Sequence, residues 1–218
     1  MMKVTRISAL LNELLDPNLP AWATVPSQEF PLVPTPLKGN PGIKAISPFI
    51  EKSTDHGTVT GLKVAAAHNG EHMAVHLSWA SDKHDKIVDL DEFVDGVAVM
   101  FPLTPQATAI TMGSVSDLVN AWYWKGNISD TAFDVVATGY GTSSRHIDTS
   151  NPISCGASYS DGRWHVVLAR ELKAAADRVV FMPGEPTRMA FAVWDGGNRE
   201  RSGRKSFSGD FVPVNVEA

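Results

Sequence analysis

After residue 57 apolar residues recur at every second position or in short unbroken runs, and rarely at the three-to-four spacing of an amphipathic helix. "GTVTGLKVAAAHNGEHMAVHLSWAS" (57–81) predicts a hairpin: β-branched residues, an Asn-Gly turn, and an alternating return through "HMAVHLSW". "DGVAVMFPL", "AFDVVATGY", "RWHVVLARELK", "RVVFM" and "RMAFAVWDGG" predict further short strands. Only "SVSDLVNAW" (114–122) and "LARELKAAADR" (168–178) read as helix after residue 20. Near the start, Leu10, Leu11, Leu14 and Leu15 with Asn12 and Glu13 between them predict one short amphipathic helix, ended by Asp16-Pro17. Between Trp22 and Pro48 stand prolines 26, 31, 34, 36, 41 and 48, a density that excludes a central strand or helix and predicts an extended strap. Nothing repeats at a fixed period and no linker divides the chain. The expectation is a mainly β fold, an antiparallel β-sandwich with a few short helices and long loops, in a single domain over 1–218.

Composition narrows the function classes. Apolar residues make up 43% of 218 and charged residues 20%, enough for a core under a solvated surface. A net charge of −5 gives no electrostatic reason to expect nucleic acid or an anionic membrane as partner. Cys155, the single cysteine, excludes an intrachain disulfide framework, a thiolate zinc site, an iron–sulfur cluster held by this chain and a covalently attached c-type haem. It reads as a small buried hydrophobe. The first 22 residues lack the apolar stretch of a signal peptide or membrane span, so work outside the cytoplasm would need processing or a carrying partner.

Most candidate motifs fail on their spacing. His68, His72 and His76 recur every four residues, but Asn69-Gly70 marks a turn among them. On a strand, residues four apart are roughly 13 Å apart, too far for one metal ion, so these read as surface strand histidines. "GYGTSS" (139–144) lacks the helix and acidic residue of a dinucleotide fingerprint, and no G-x-S-x-G elbow occurs. "DLDEFVDG" (89–96) holds paired carboxylates without an aromatic subsite pattern and reads as a solvated loop.

Two stretches hold more than a sandwich requires. "TMGSVSDLVNAWYWKG" (111–126) carries Met112-Gly113 ahead of Trp122-Tyr123-Trp124, in a chain only 8% aromatic. "FAVWDGGNRERSGRKSFSGDF" (191–211) ends a strand in Trp194-Asp195-Gly196-Gly197 and returns through a basic loop; on composition alone it is a hairpin with a solvated tip. Together with "DPNLPAW" (16–22) and "VAVMFPL" (97–103), these motifs resemble, in order and over nearly the whole chain, the haem b-binding gamma subunits of the ethylbenzene dehydrogenase, dimethylsulfide dehydrogenase, chlorate and selenate reductase group. The resemblance implies a β-sandwich holding one non-covalent haem b between a methionine and a lysine. It implies a molybdopterin catalytic alpha subunit and an iron–sulfur beta subunit as partners, and an external electron carrier such as a c-type cytochrome. Met112 matches the axial methionine and Lys205 the axial lysine; Met100 is the rival sulfur ligand, although it alternates with Val99 and Phe101 like a core residue. By position Trp122, Trp124 and Trp194 are pocket or structural aromatics, with the 122–124 run as a wall of a slot between two sheets, and Arg204, with Arg199 and Arg201, stands beside haem propionates or on a solubilising loop tip.

The chemistry of such a pair is coherent. A thioether favours ferrous iron, and a lysine binds iron only as the neutral amine, which burial promotes. With both axial positions filled the chain would carry electrons and not be catalytic alone; a hydroxylating dehydrogenase is the favoured setting. Kinship suggests a periplasmic complex, reached by co-export with a folded partner, and otherwise a cytoplasmic one. The competing expectation is a ligand- or carbohydrate-binding sandwich without haem, stacking sugars on exposed indoles.

Overall fold

The computed structural model describes the chain except residues 91, 129 and 149 and the side chain of residue 41. Its described strands are β1 (Met2–Arg6), β2 (Ser27–Pro31), β3 (Val33–Pro34), β4 (Gly61–His68), β5 (His72–Ala80), β6 (Gly96–Pro102), β7 (Val119–Lys125), β8 (Thr131–Ala137), β9 (Ser144–Arg145), β10 (Ile153–Ser160), β11 (Arg163–Glu171), β12 (Pro186–Trp194), β13 (Ser206–Phe207) and β14 (Val212–Val216). One layer runs β14-β1-β4-β5-β11-β10 and the other β8-β7-β6-β12-β13-β3. They meet where β10 pairs β8 and where β12 pairs β14, so the sandwich closes like a flattened barrel. The expected antiparallel sandwich holds with one exception: β1 runs parallel to both β4 and β14.

Alternation decides what fills the space between the layers. Val97, Val99, Phe101, Trp122 and Trp124 point inward from one layer, and Leu77, Trp79, Trp164, Val166 and Leu168 from the other. Each buried indole removes roughly 150–250 Å² from water, so four of them dominate this core. Trp79 and Trp164 stack at 6.2 Å, and Trp124 meets Trp164 edge-on at 4.9 Å. Trp164 Nε1 donates to buried Asp95 at 2.7 Å, and burial raises that carboxyl's pKa.

Both late helix expectations are corrected. "SVSDLVNAW" is a turn followed by β7, where Asn120 donates to Asp134 at 2.6 Å and to the Val135 carbonyl at 3.0 Å. "LARELKAAADR" begins inside β11, where buried Arg170 donates to the Val179 carbonyl and to Asn120. Cross-strand pairing outweighs local helix propensity in both. The proline strap is corrected too: β2 pairs β4, and α2 (Pro41–Ile46) and α3 (Pro48–Glu51) each start at a proline. At the first helical position the missing N–H costs nothing, and the side chains of Asn40 and Ser47 cap the two helices. The N-terminal helix is one turn, α1 (Leu11–Leu14), preceded by the unanticipated β1.

The hairpin β4–β5 forms as expected, but His68 is not a surface histidine, and His72 and His76 are only partly exposed. His68 is fully buried at the end of β4, and half-buried His76 lies 5.2 Å from Trp22 and 5.7 Å from His165. Burial pulls the His76 pKa down to about 4, with His165 and Lys63 adding repulsion. Among the described residues no histidine belongs to a metal-competent group; Asp91 of the acidic stretch lies outside them. Cys155 is buried in β10, where burial pushes its thiol up to about 12. Among the described residues no helix is long and apolar enough to cross a membrane.

Candidate cofactor site

An apolar cavity of about 460 Å³ lies on the outer face of the β8-β7-β6-β12 layer and not between the layers. That volume falls in the ~300–1,000 Å³ range of cofactor sites. Its floor follows from strand parity. Ala98, Ala121, Ala190 and Ala192 point outward, while Val97, Val99, Trp122, Phe191 and Val193 between them point into the core. Side chains of one carbon on three adjacent strands leave a shallow, flat, apolar bed. Tyr123, Trp194, Phe207 and Met100 edge it, and Ile43, Ile46 and Ile50 of the α2–α3 segment cover it.

Trp122 and Trp124, expected as walls, are core residues on the opposite face of β7 and do not line the cavity. Trp194 does line it, its Nε1 donating to the Ser202 carbonyl at 3.0 Å. Arg204 is buried but turned away, paired with Asp55 at 3.2 Å. Arg201 lies over the Phe93 ring at 4.4 Å, and neither it nor Arg199 lines the cavity. The cations that do are Lys125, Arg145 and Lys205.

Met112 and Lys205, 93 positions apart, meet at this cavity with Lys205 Nζ 3.7 Å from Met112 Sδ. Met112 sits at φ 58, a left-handed conformation uncommon for a non-glycine side chain. Three hydrogen bonds fix it there: Met112 N to the Ala109 carbonyl, Gly113 N to Thr108, and Gly139 N to the Met112 carbonyl, each 3.0 Å. Gly113 follows at φ 82, and a Cβ there would lie 2.6 Å from the Asp117 carbonyl oxygen, so only glycine fits. Backbone strain held by its surroundings is a feature of functional sites.

Lys205 arrives on a tightly tied loop. Buried Glu200 accepts from Gly57 N at 2.6 Å, Thr58 N at 3.1 Å and Asp195 N at 3.1 Å, binding the loop to the 57–58 segment. Thr35 then clamps the Lys205 carbonyl with its N at 3.0 Å and its Oγ1 at 3.1 Å. Only 7% of Lys205 is exposed, and no carboxylate among the described residues pairs with it. Its neighbours are a thioether, a weak acceptor, and the Trp194 ring 5.0 Å away. Burial lowers its pKa to about 8. A buried amine with no counter-ion among the described residues and a soft sulfur, both able to act as metal donors, thus lie together at an apolar bed. Met100, the rival, also lines the cavity, but from the strand floor beside Ala98 and Ala121.

Sequence reasoning missed the bed. Its signal was available: Ala98, Ala121, Ala190 and Ala192 each alternate with large residues along the strands that pair as β7-β6-β12.

Comparisons with known proteins match this architecture. The family model described as "Ethylbenzene dehydrogenase" covers residues 19–151 and 148–206. A protein named as a respiratory nitrate reductase heme subunit of Haloferax mediterranei is 35% identical, over 88% of this chain and 65% of its own length. The chlorate reductase subunit gamma of Ideonella dechloratans is 34% identical, over 69% of this chain and 63% of its own. The dimethylsulfide dehydrogenase subunit gamma of Rhodovulum sulfidophilum is 27% identical, over 90% and 73%. The chain thus spans just under two thirds of the first two. Among solved structures, a family 9 carbohydrate-binding module from Caldicellulosiruptor kristjanssonii, in complex with glucose, superposes with TM-score 0.53 at 9% identity, over 100% of this chain and 95% of its own. A carbohydrate-binding protein from Bacteroides uniformis gives TM-score 0.55 at 9%, over 99% and 98%. These likenesses show the fold alone.

Proposed function

The chain belongs to the ethylbenzene dehydrogenase family, and on that premise we propose that it binds one haem b non-covalently and relays electrons as the gamma-type subunit of a molybdenum oxidoreductase complex. The observation that carries this reading is buried Lys205, with no carboxylate partner among the described residues, facing Met112 over an alanine floor. A bound haem supplies one-electron chemistry.

The chain's own residues account for the rest. Lys205 donates its lone pair once its proton has left, and a pKa lowered to about 8 makes that loss easier than in water. Met112 offers a polarizable sulfur that would stabilise reduced iron. Were both residues to hold the iron, no position would stay open for substrate, and the chain would move electrons and leave bond chemistry to its partners. The apolar bed excludes water, and the hydrogen-bonded backbones of Met112, Gly113 and Lys205 hold both donors in place.

The partners proposed are a molybdopterin catalytic alpha subunit and an iron–sulfur beta subunit, with an external carrier such as a c-type cytochrome taking or giving the electron. Two relatives named as gamma subunits support such an assembly. A dehydrogenase setting, in which electrons leave through this chain, is the direction proposed, in common with the dimethylsulfide dehydrogenase relative. The location proposed for the complex is the periplasm.

The carbohydrate-binding alternative shares the fold but calls for exposed indoles. All six tryptophans are buried, leaving no exposed indole for a sugar to stack on. The test is direct: protein produced with ample haem should carry one haem per chain and show a Soret band. A colourless preparation that takes up no added haem would overturn the proposal.

A further inference from the structure

Among the described residues the lining of the cavity carries three cations, Lys125, Arg145 and Lys205, and no carboxylate, although the chain as a whole has a net charge of −5. Lys205 faces Met112 in the interior; half-buried Lys125 and exposed Arg145 stand at the rim. Strand register explains their placement. Lys125 ends β7 in line with Gly96 and Trp194, while Arg145 on β9 lies in line with Val135, Ala121 and Met100. Between these two rows lie Phe133 and Tyr123, their rings 6.1 Å apart. Lys125 Nζ is 5.9 Å from the Tyr123 ring and Arg145 Cζ 3.6 Å from the Phe133 ring, so both cations lean over this one aromatic edge. Neither takes part in an ion pair among the described residues.

We propose that Lys125 and Arg145 hold the two carboxylates of the group that fills the cavity, setting its anionic edge over Tyr123 and Phe133. This rests on the haem b reading, since that group carries two propionates on one edge. The charges then balance: two rim cations meet two carboxylates, and Lys205 acts as a neutral donor. The basic loop of Arg199, Arg201 and Arg204 is left no part in it, because none of the three lines the cavity. Lys125 and Arg145 are positioning residues. They fix which way round the planar group lies and so which edge faces the protein surface.

The test is a titration of the haem-free full chain with haemin and with haemin dimethyl ester, followed by Soret absorbance. The wild type should prefer the free acid by roughly tenfold, as expected for two partly exposed charge pairs. Lys125→Gln with Arg145→Gln should abolish that preference while binding the ester as the wild type does, which also shows that the variant folds. Lys125→Arg with Arg145→Lys should restore the preference, and Arg199→Gln with Arg201→Gln should leave it unchanged. A double glutamine variant that keeps the wild-type preference would overturn the proposal. A wild type that takes up neither compound would overturn the haem reading itself.

Discussion

At the scale of single residues the site is held in tension. Lys205 is an ammonium group buried without a counter-ion among the described residues, a situation that costs several kcal/mol in a folded chain. Lys205→Met should therefore stabilise the haem-free protein by about 1–4 kcal/mol in urea unfolding, while removing the nitrogen donor; an unchanged or lower midpoint would show that the amine is already compensated. Gly113 makes the opposite point. With φ at 82, a Cβ on this residue would stand 2.6 Å from the Asp117 carbonyl oxygen. Gly113→Ala should therefore destabilise by roughly 1–3 kcal/mol. The same change should weaken haem retention, because it shifts Met112 next door. Normal unfolding and normal retention would together remove the strained turn from the account. Resemblance to a family is what points to Met112 and Lys205. Their 3.7 Å approach was not legible, because it depends on two loops that periodicity does not describe.

At the scale of elements, strand parity governs both stability and binding. Three neighbouring strands, β6, β7 and β12, send large side chains inward and alanines outward, so one face is core and the other a bed. Which parity faces which way was not legible: both faces are apolar, so period-two alternation does not distinguish them. For that reason Trp122 and Trp124, expected as walls of the slot, lie on the other side of β7. Filling the bed tests this directly. Ala192→Leu should leave the unfolding midpoint within about 1 kcal/mol of wild type, since the added atoms enter a cavity, yet cut haem uptake at least roughly tenfold. Full uptake would mean that the group lies elsewhere. On the opposite layer, His76 is packed under Trp22 with its pKa down at about 4. The unfolded chain binds the extra proton between about pH 6.5 and 4, so stability falls as pH drops through that window. His76→Gln should flatten this limb relative to wild type in denaturation midpoints measured from pH 7 to 4. A superimposable pH profile for the variant would refute the assignment.

At the scale of the whole molecule, the fold was legible because β-branched and alternating runs so outnumber helical ones. What escaped was non-local: the parallel β1, the conversion of two helical-looking stretches into strand and turn, and helices starting on prolines. A likeness to carbohydrate-binding proteins at TM-scores of 0.53 and 0.55 shows the fold alone, and a fold does not decide which site it carries. Here the distinguishing features are the alanine bed, the buried amine and the strained methionine, and each bears on the same cavity. The most direct measurement is the ligation spectrum of the haem-loaded chain and its variants. Met112→Ala and Lys205→Ala should each change the Soret and ferrous bands, while Met100→Ala leaves them as in wild type. Unaltered bands in Met112→Ala, with altered ones in Met100→Ala, would contradict the axial pair on which the account rests.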